Sequence, residues 1–268
     1  MRFLIMTDIE GVSGVTTYPQ AENSQLGRDM LMNDLIAVID GIRQDGAHEI
    51  VVYDMHTDGR NVDISQIPAD IPVVMGKPIL GNCYRGVGGA FDGLFLLGLH
   101  SMARVPNALL AHSYLVEYDS IHLNGHLVGE IGIEAALAAE QGIPLVFVSG
   151  DDVGCKEAET LIPGVVTATV KYSLGDDQAI CLPPAKTRTI LKEAAAKAAK
   201  DAAIIAPLCI SSPYTVEIKY SNCRYLEIMK NLHPEIFIDA HTVQIQGENL
   251  LECWSNYLVK EKRMMKYE

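Results

Sequence analysis

Short runs with no polar residue on either face are the feature that most restricts how this chain can fold. Phe3 to Met6, Ile50 to Tyr53, Leu94 to Leu97 and Leu145 to Val148 are each apolar throughout. A strand with one face in water alternates polar and apolar residues, so a continuously apolar strand must be covered on both faces. Between the first two runs, Leu26, Met30, Leu35, Val38, Ile39 and Ile42 recur at helical spacing from Ser24 to Arg43, and Asp45-Gly46 closes the segment. This strand, helix, strand unit predicts an α/β fold with a mainly parallel sheet flanked by helices.

Further along, Ile71 to Met75 and Gly93 to Leu99 are expected strands. The segment Ser120 to Gly129 is an expected hairpin around Asn124-Gly125, with a helix from Glu130 through Glu140 behind it. Pro144 to Val148 is another buried strand. Beyond Pro163 the pattern loosens. Val165 to Tyr172 is strand-like, Pro183-Pro184 precedes an Ala/Lys helix over Lys186 to Ala203, and Tyr214 to Tyr220 alternates. Ile236 to Ala240 is a short apolar run, and Gly247 to Arg263 is helical. The expected organisation is a metal-binding α/β catalytic domain over 1–183 carrying the inserted hairpin, with a smaller C-terminal α/β subdomain over 184–268.

The formal net charge of −13 disfavours a nucleic-acid surface or an anionic membrane as partner, since both need clustered Lys and Arg. The first apolar run reaches Asp8 and Glu10 too soon for a signal peptide or a membrane span. The six cysteines are scattered without a C-x-x-C pair, which suits reduced thiols and a cytoplasmic protein.

Open α/β sheets bind ligands beyond the carboxyl ends of their strands. Strand-like segments here end at Asp8 with Glu10, at His56 and at His100, and Glu130 behind the hairpin can reach the same edge. Carboxylate mixed with imidazole suits zinc and other transition ions, whereas magnesium and calcium are met by oxygen. Asp8 is the natural bridge between two ions, with Glu10 and His56 completing one and His100 and Glu130 the other. His112 is the candidate for proton transfer or oxyanion stabilisation.

Plainer roles stand beside these. Asp8-x-Glu10 suits a turn or a helix cap, either histidine can sit at the rim of a core, and Glu130 suits the first turn of a helix. His112 can hydrogen-bond locally near Ser113 or Tyr114. Asp54 can accept from a ligating imidazole, and Asp151-Asp152 caps the next helix. Gly86 to Gly89 lacks the Lys-Ser/Thr pair of a phosphate loop, and neither H-E-x-x-H nor G-x-S-x-G occurs. Three functional readings remain: a hydrolase using metal-activated water, a magnesium phosphohydrolase with Asp8 and Asp151-Asp152 at its centre, and a non-catalytic metal-stabilised binding module.

An ordered set of motifs bears on the choice: Thr7-Asp8-Ile9-Glu10-Gly11, Tyr53-Asp54-Met55-His56, Leu97-Gly98-Leu99-His100, Ala111-His112-Ser113, Val128-Gly129-Glu130 and Gly150-Asp151-Asp152. Together they resemble the D-aminopeptidase family of zinc metallopeptidases, from Met1 through the Pro163 region and more loosely toward Trp254. The resemblance implies a binuclear zinc aminopeptidase releasing N-terminal residues, often D-amino acids, from short peptides or amino-acid amides. It places the two Zn2+ ions on Asp8, Glu10, His56, His100 and Glu130, and a catalytic role on His112. It also implies a ring-like homodecamer with an internal chamber. The chain departs from the family pattern at Met55 and Thr57 around His56 and at Ala111 before His112, where the family carries serine. The hydrogen bonds and polarity around the pocket therefore differ, and D- and L-substrates both stay open.

Overall fold

The computed structural model describes residues 1–76 and 91–264. The Gly86 to Gly89 segment lies outside the described residues. β1 (Arg2–Thr7) runs through the middle of a seven-stranded sheet, with β2 (Glu49–Asp54) and β3 (Val73–Val74) on one side and β4 (Gly93–Leu99) on the other. A hairpin of β5 (Tyr118–Leu123) and β6 (His126–Val128) leaves this sheet, which resumes through β7 (Leu145–Asp151), β8 (Val166–Gly175) and β9 (Gln178–Cys181). All neighbours are parallel except β9, which returns antiparallel to β8.

Register fixes where the functional edge lies. Thr7 stands opposite Asp54 on one flank and Leu97 on the other. Asp8, His56 and His100 consequently leave the sheet along one edge. The chain steps from β1 outward to β2 and β3, then crosses back to β4 on the far flank of β1. That reversal leaves a crevice between the ends of β1 and β4.

β4 and β7 are buried at every position, as continuous apolar runs require, and helices supply the cover. α1 (Tyr18–Asn23) leads into α2 (Gln25–Ile42), whose first turn is capped by Ser24 Oγ accepting from the Gly27 amide at 2.9 Å. α3 (Glu130–Glu140) and α4 (Asp152–Leu161) pack together against the large sheet. α5 (Pro184–Asp201) begins with proline at its first position, where no intrahelical donor is lost, and lies along α2.

A second, antiparallel sheet joins β6, β5, β10 (Tyr214–Tyr220) and β11 (Thr242–Gly247). Asn124 and Gly125 both take positive φ, 50° and 80°, as a tight hairpin turn demands. α6 (Arg224–Leu232) and α7 (Leu250–Met264) follow, and α7 packs on β11, α6 and α3. Chain order and layer membership cross at Pro183: α5 belongs to the large sheet's cover, while β5 and β6 pair with the C-terminal strands. Ile236 to Ala240 forms no named strand, and β11 starts only at Thr242; Ile71 to Met75 contracts to Val73–Val74. No helix among the described residues is long and apolar enough to cross a membrane.

Candidate metal centre

The backbone at the end of β1 is held from several sides. Asp8 donates its amide to the Leu97 carbonyl at 2.8 Å, and Gly11 donates to Gly98 at 2.7 Å. A Cβ on Gly11 would stand 1.9 Å from the Leu99 oxygen, and one on Gly98, whose φ is +79°, would stand 2.4 Å from the Asp8 oxygen. Only glycine lets these two strand ends approach so closely. Lys171, fully buried on β8, reaches under the turn and donates to the carbonyls of Glu10 at 2.5 Å, Val12 at 2.9 Å and Val15 at 2.5 Å. On the other flank, Asp34 of α2 accepts from the Ser13 amide at 2.8 Å and the Ser13 hydroxyl at 2.9 Å.

Into this frame the structure brings Asp8, Glu10, His56, His100 and Glu130, all buried. His56 Nδ1 lies 2.7 Å from Asp8 Oδ1 and 3.0 Å from Glu10 Oε2. His100 Nδ1 donates to the Ser101 carbonyl at 3.0 Å, which turns Nε2 toward Glu130 Oε1 at 3.3 Å and Asp8 Oδ2 at 3.5 Å. Asp8 therefore faces both histidines with different oxygens. His112 stacks on His100 with ring centroids 4.0 Å apart, and its Nε2 is 3.8 Å from Glu130 Oε1. Its Nδ1 donates to the Leu110 carbonyl at 2.9 Å, so the local bond expected near Ser113 or Tyr114 goes to Leu110 instead.

Charge is concentrated here. Burial raises the Asp8 carboxyl to about 7, and the neighbouring Glu10 adds to the shift. Burial also opposes ionisation of Glu10 and Glu130, but contact with His56 and with His100 respectively holds both below the usual carboxylate range. Burial works against charging His56 and His100, yet the carboxylates overcome it and lift them to about 11 and about 10. His112 is pushed down by burial and by the charge on His100. The pocket thus favours positive charge.

A metal fits the same donors. Ligands about 2.0–2.2 Å from a tetrahedral zinc stand about 3.3–3.6 Å from one another, and the two His100 contacts, at 3.3 and 3.5 Å, have that spacing. Asp8 Oδ2, Glu10 Oε2 and His100 Nε2 are buried without an aligned hydrogen bond, although each has an oppositely charged neighbour within ion-pair distance. The ligand atoms of Asp8, Glu10 and His100 lie within 4.8 Å of one another, as do those of His100, His112 and Glu130. His112 therefore stands among the candidate ligands as well as beside them.

One other expectation is corrected, and the helix cap expected at Asp151 is present. Asp54 does not meet an imidazole: its carboxylate accepts from the Asn61 and Val62 amides at 2.5 and 2.8 Å and from Asn61 Nδ2 at 3.0 Å. Asn61 Nδ2 also reaches the His56 carbonyl at 2.8 Å, so Asp54 shapes the loop that carries His56. Asp151 caps α4 through the Val153 and Gly154 amides, and it and Asp152 bind Ser173. Asp151 and Asp152 are thus engaged with the start of α4 and with Ser173, apart from the contacts of the Asp8 cluster, and nothing here supports a magnesium phosphohydrolase. Lys171, Asp34 and Glu157 were not singled out from sequence. Glu157 accepts from the Met102 amide at 2.8 Å and steadies the loop after His100. A lysine inside the apolar Val165 to Tyr172 run was the one signal of a buried clamp.

Paired clusters of carboxylate and imidazole at the switch point of a covered α/β sheet define a metal-dependent hydrolase. The chain belongs to the D-aminopeptidase family, whose profile matches residues 1–258. It is 29% identical over 272 residues to the D-aminopeptidase of Bacillus subtilis (strain 168), covering 99% of this chain and 98% of that one. It also superposes, with a TM-score of 0.88 and 28% identity over 99% of this chain and 98% of the other, on a solved structure of a Zn-dependent D-aminopeptidase, DppA, from Bacillus subtilis, described as a self-compartmentalizing protease.

Proposed function

We propose that this protein is a binuclear zinc aminopeptidase that releases N-terminal residues, D-residues among them, from short peptides. Asp8, Glu10, His56, His100 and Glu130 would hold the two ions, with Asp8 standing between the Glu10–His56 pair and the His100–Glu130 pair. The observation that carries this reading is the buried convergence of these five side chains on one point of the sheet edge. The zinc dependence and the activity named for the Bacillus relative support it.

Bound zinc supplies Lewis-acid polarisation of the scissile carbonyl and an activated water at neutral pH. The chain's own groups do the rest. His112 donates Nδ1–H to Leu110, so its neutral form presents Nε2 as an acceptor. That atom is placed to take a proton and return it to the leaving amine. Tyr114 donates its amide to Glu130 Oε1 at 2.7 Å, which ties the His112 loop to a proposed ligand. The self-compartmentalizing character of the relative supports a homo-oligomer, a decamer on the family resemblance.

The test is hydrolysis of matched L- and D-alanine amides and alanyl peptides by zinc-loaded protein, beside a chelated sample and an Asp8→Ala variant. Metal-dependent release of the N-terminal residue is expected, lost on chelation and in D8A, and the L/D ratio assigns the stereochemistry. A folded, zinc-loaded protein that cleaves nothing in the panel would sink the reading. Light scattering on the same sample reads the subunit count.

A further inference from the structure

Beside His112 the surface opens into a cavity of about 240 Å3, lined by Tyr18, Ala103, Arg104, Leu110, Val116 and Asp176 among others. The Tyr18 ring meets the His112 ring edge-on with centroids 5.6 Å apart. Leu110, which anchors the imidazole through its carbonyl, forms part of the same wall. The cavity therefore adjoins the proton-transfer side of the centre. It is smaller than the roughly 300–1,000 Å3 pockets that enclose drug-sized ligands, and suits a group the size of an amino-acid residue.

Much of its wall comes from the segment 101–117. Arg104, Asn107, Leu110 and Tyr114 all hold left-handed backbone there, with φ of 65°, 59°, 49° and 63°. Such conformations are strained outside glycine, and they cluster at ligand clamps where the surroundings over-determine them.

Arg104 is the only cation among the described lining residues. Its Nε and Nη2 both donate to one oxygen of Asp119, Oδ1, the first at 3.0 Å. A guanidinium has five N–H donors, so three remain, including both on Nη1. The side chain is 64% exposed and can meet a second carboxylate. In a protein of net charge −13, with three carboxylates at the centre, a substrate carboxylate needs such a partner to settle nearby.

We propose that this cavity receives the leaving residue of a dipeptide and that Arg104 binds its C-terminal carboxylate. The inference rests on the aminopeptidase reading above. His112 stands where the new amine forms, and the carboxylate of a one-residue leaving group follows directly behind that amine. A longer peptide or an amide presents an uncharged group at Arg104, so the pocket favours dipeptides with a free carboxylate.

The test compares alanyl-alanine with alanyl-alanine amide, each in L,L and D,D form, using the zinc-loaded full chain. The quantity read is the ratio of kcat/KM for acid over amide. Arg104→Gln is expected to lower that ratio about fivefold, the scale of an exposed ion pair. Arg104→Lys is expected to retain part of the preference, and Asp119→Asn, which releases Arg104 from its present partner, to raise it. A ratio unmoved by R104Q, or one lowered by D119N as far as by R104Q, overturns the carboxylate anchor while leaving the aminopeptidase reading in place. Wild-type protein that cleaves neither acid nor amide overturns both.

Discussion

The two halves of the centre are built differently. Asp8, Glu10 and His56 come from the ends of adjacent parallel strands, and the turn that carries the carboxylates is pinned by main-chain bonds to β4, by Lys171 and by Asp34. In the other half only His100 comes from a strand end. Glu130 stands at the start of α3, and His112 rides a loop of left-handed residues held by Leu110, which donates to the Asp176 carbonyl at 2.9 Å, and by Tyr114. Tyr114 in turn donates its hydroxyl to Glu134 at 2.9 Å and packs against Trp254 of α7. One half inherits its geometry from the sheet; the other is assembled from pieces distant in sequence. The first half is positioned by strand register, and the second by the hydrogen bonds and packing of its loop.

The strongest way to break this comparison is to remove His112. His112→Gln is expected to lower kcat by about 10²- to 10⁴-fold, the scale of general acid-base catalysis, while zinc content by atomic absorption stays at the wild-type stoichiometry. Loss of an ion along with activity would make His112 a ligand, and the loop-built half would then count it beside His100 and Glu130.

A middle effect tests whether the sheet-built half depends on its clamp. Lys171→Met fits the volume but strands three buried carbonyls, each unmade bond costing about 1–3 kcal/mol. Zinc affinity is expected to fall about 10- to 100-fold, as when groups that orient ligands are removed, and the apo-protein to unfold at lower temperature. If competition with a chelating dye shows unchanged affinity in a folded K171M protein, the clamp serves stability alone.

Legibility follows the same division. The sheet-built half could be read because consecutive apolar residues announce a doubly covered strand, and Asp8, His56 and His100 stand just past such runs. Glu130 was readable because Asn124-Gly125 marked the hairpin before it. What escaped was set by distant contacts: Lys171 meets carbonyls 156 to 161 positions away, and nothing local says so. Asp54 was misread because spacing cannot tell an imidazole partner from its own loop. Left-handed backbone at Arg104, Leu110 and Tyr114 is invisible where no glycine marks it. β9 is four residues long and mostly exposed, so it carries little pattern, whereas α6 held an amphipathic signal, Leu226 and Met229 buried one turn apart, that was not used. α1 carried a signal that went unused, the Thr17 and Gln20 capping box.

The smallest effect separates two residues of α7. Trp254 touches Tyr114 and so reaches the His112 loop, whereas Tyr257 faces the second sheet. Its hydroxyl lies 2.7 Å from that of Tyr118 and 2.6 Å from that of Tyr220, and Tyr118 also donates to Glu261. Tyr257→Phe removes the middle hydroxyl without changing the ring. Tyr118 keeps Glu261, and Tyr220 keeps only the 3.5 Å contact to Tyr118. Denaturant unfolding is expected to show a loss of about 1 kcal/mol, the net worth of a typical buried hydrogen bond, with kcat for alanyl-alanine unchanged. A fall in kcat would mean that the tyrosine cluster, through Tyr118 at the cavity wall, sets the position of the substrate. The loop-built half would then extend into the second sheet, and the boundary between scaffold and site would move from Trp254 to Tyr257, one turn farther along the helix.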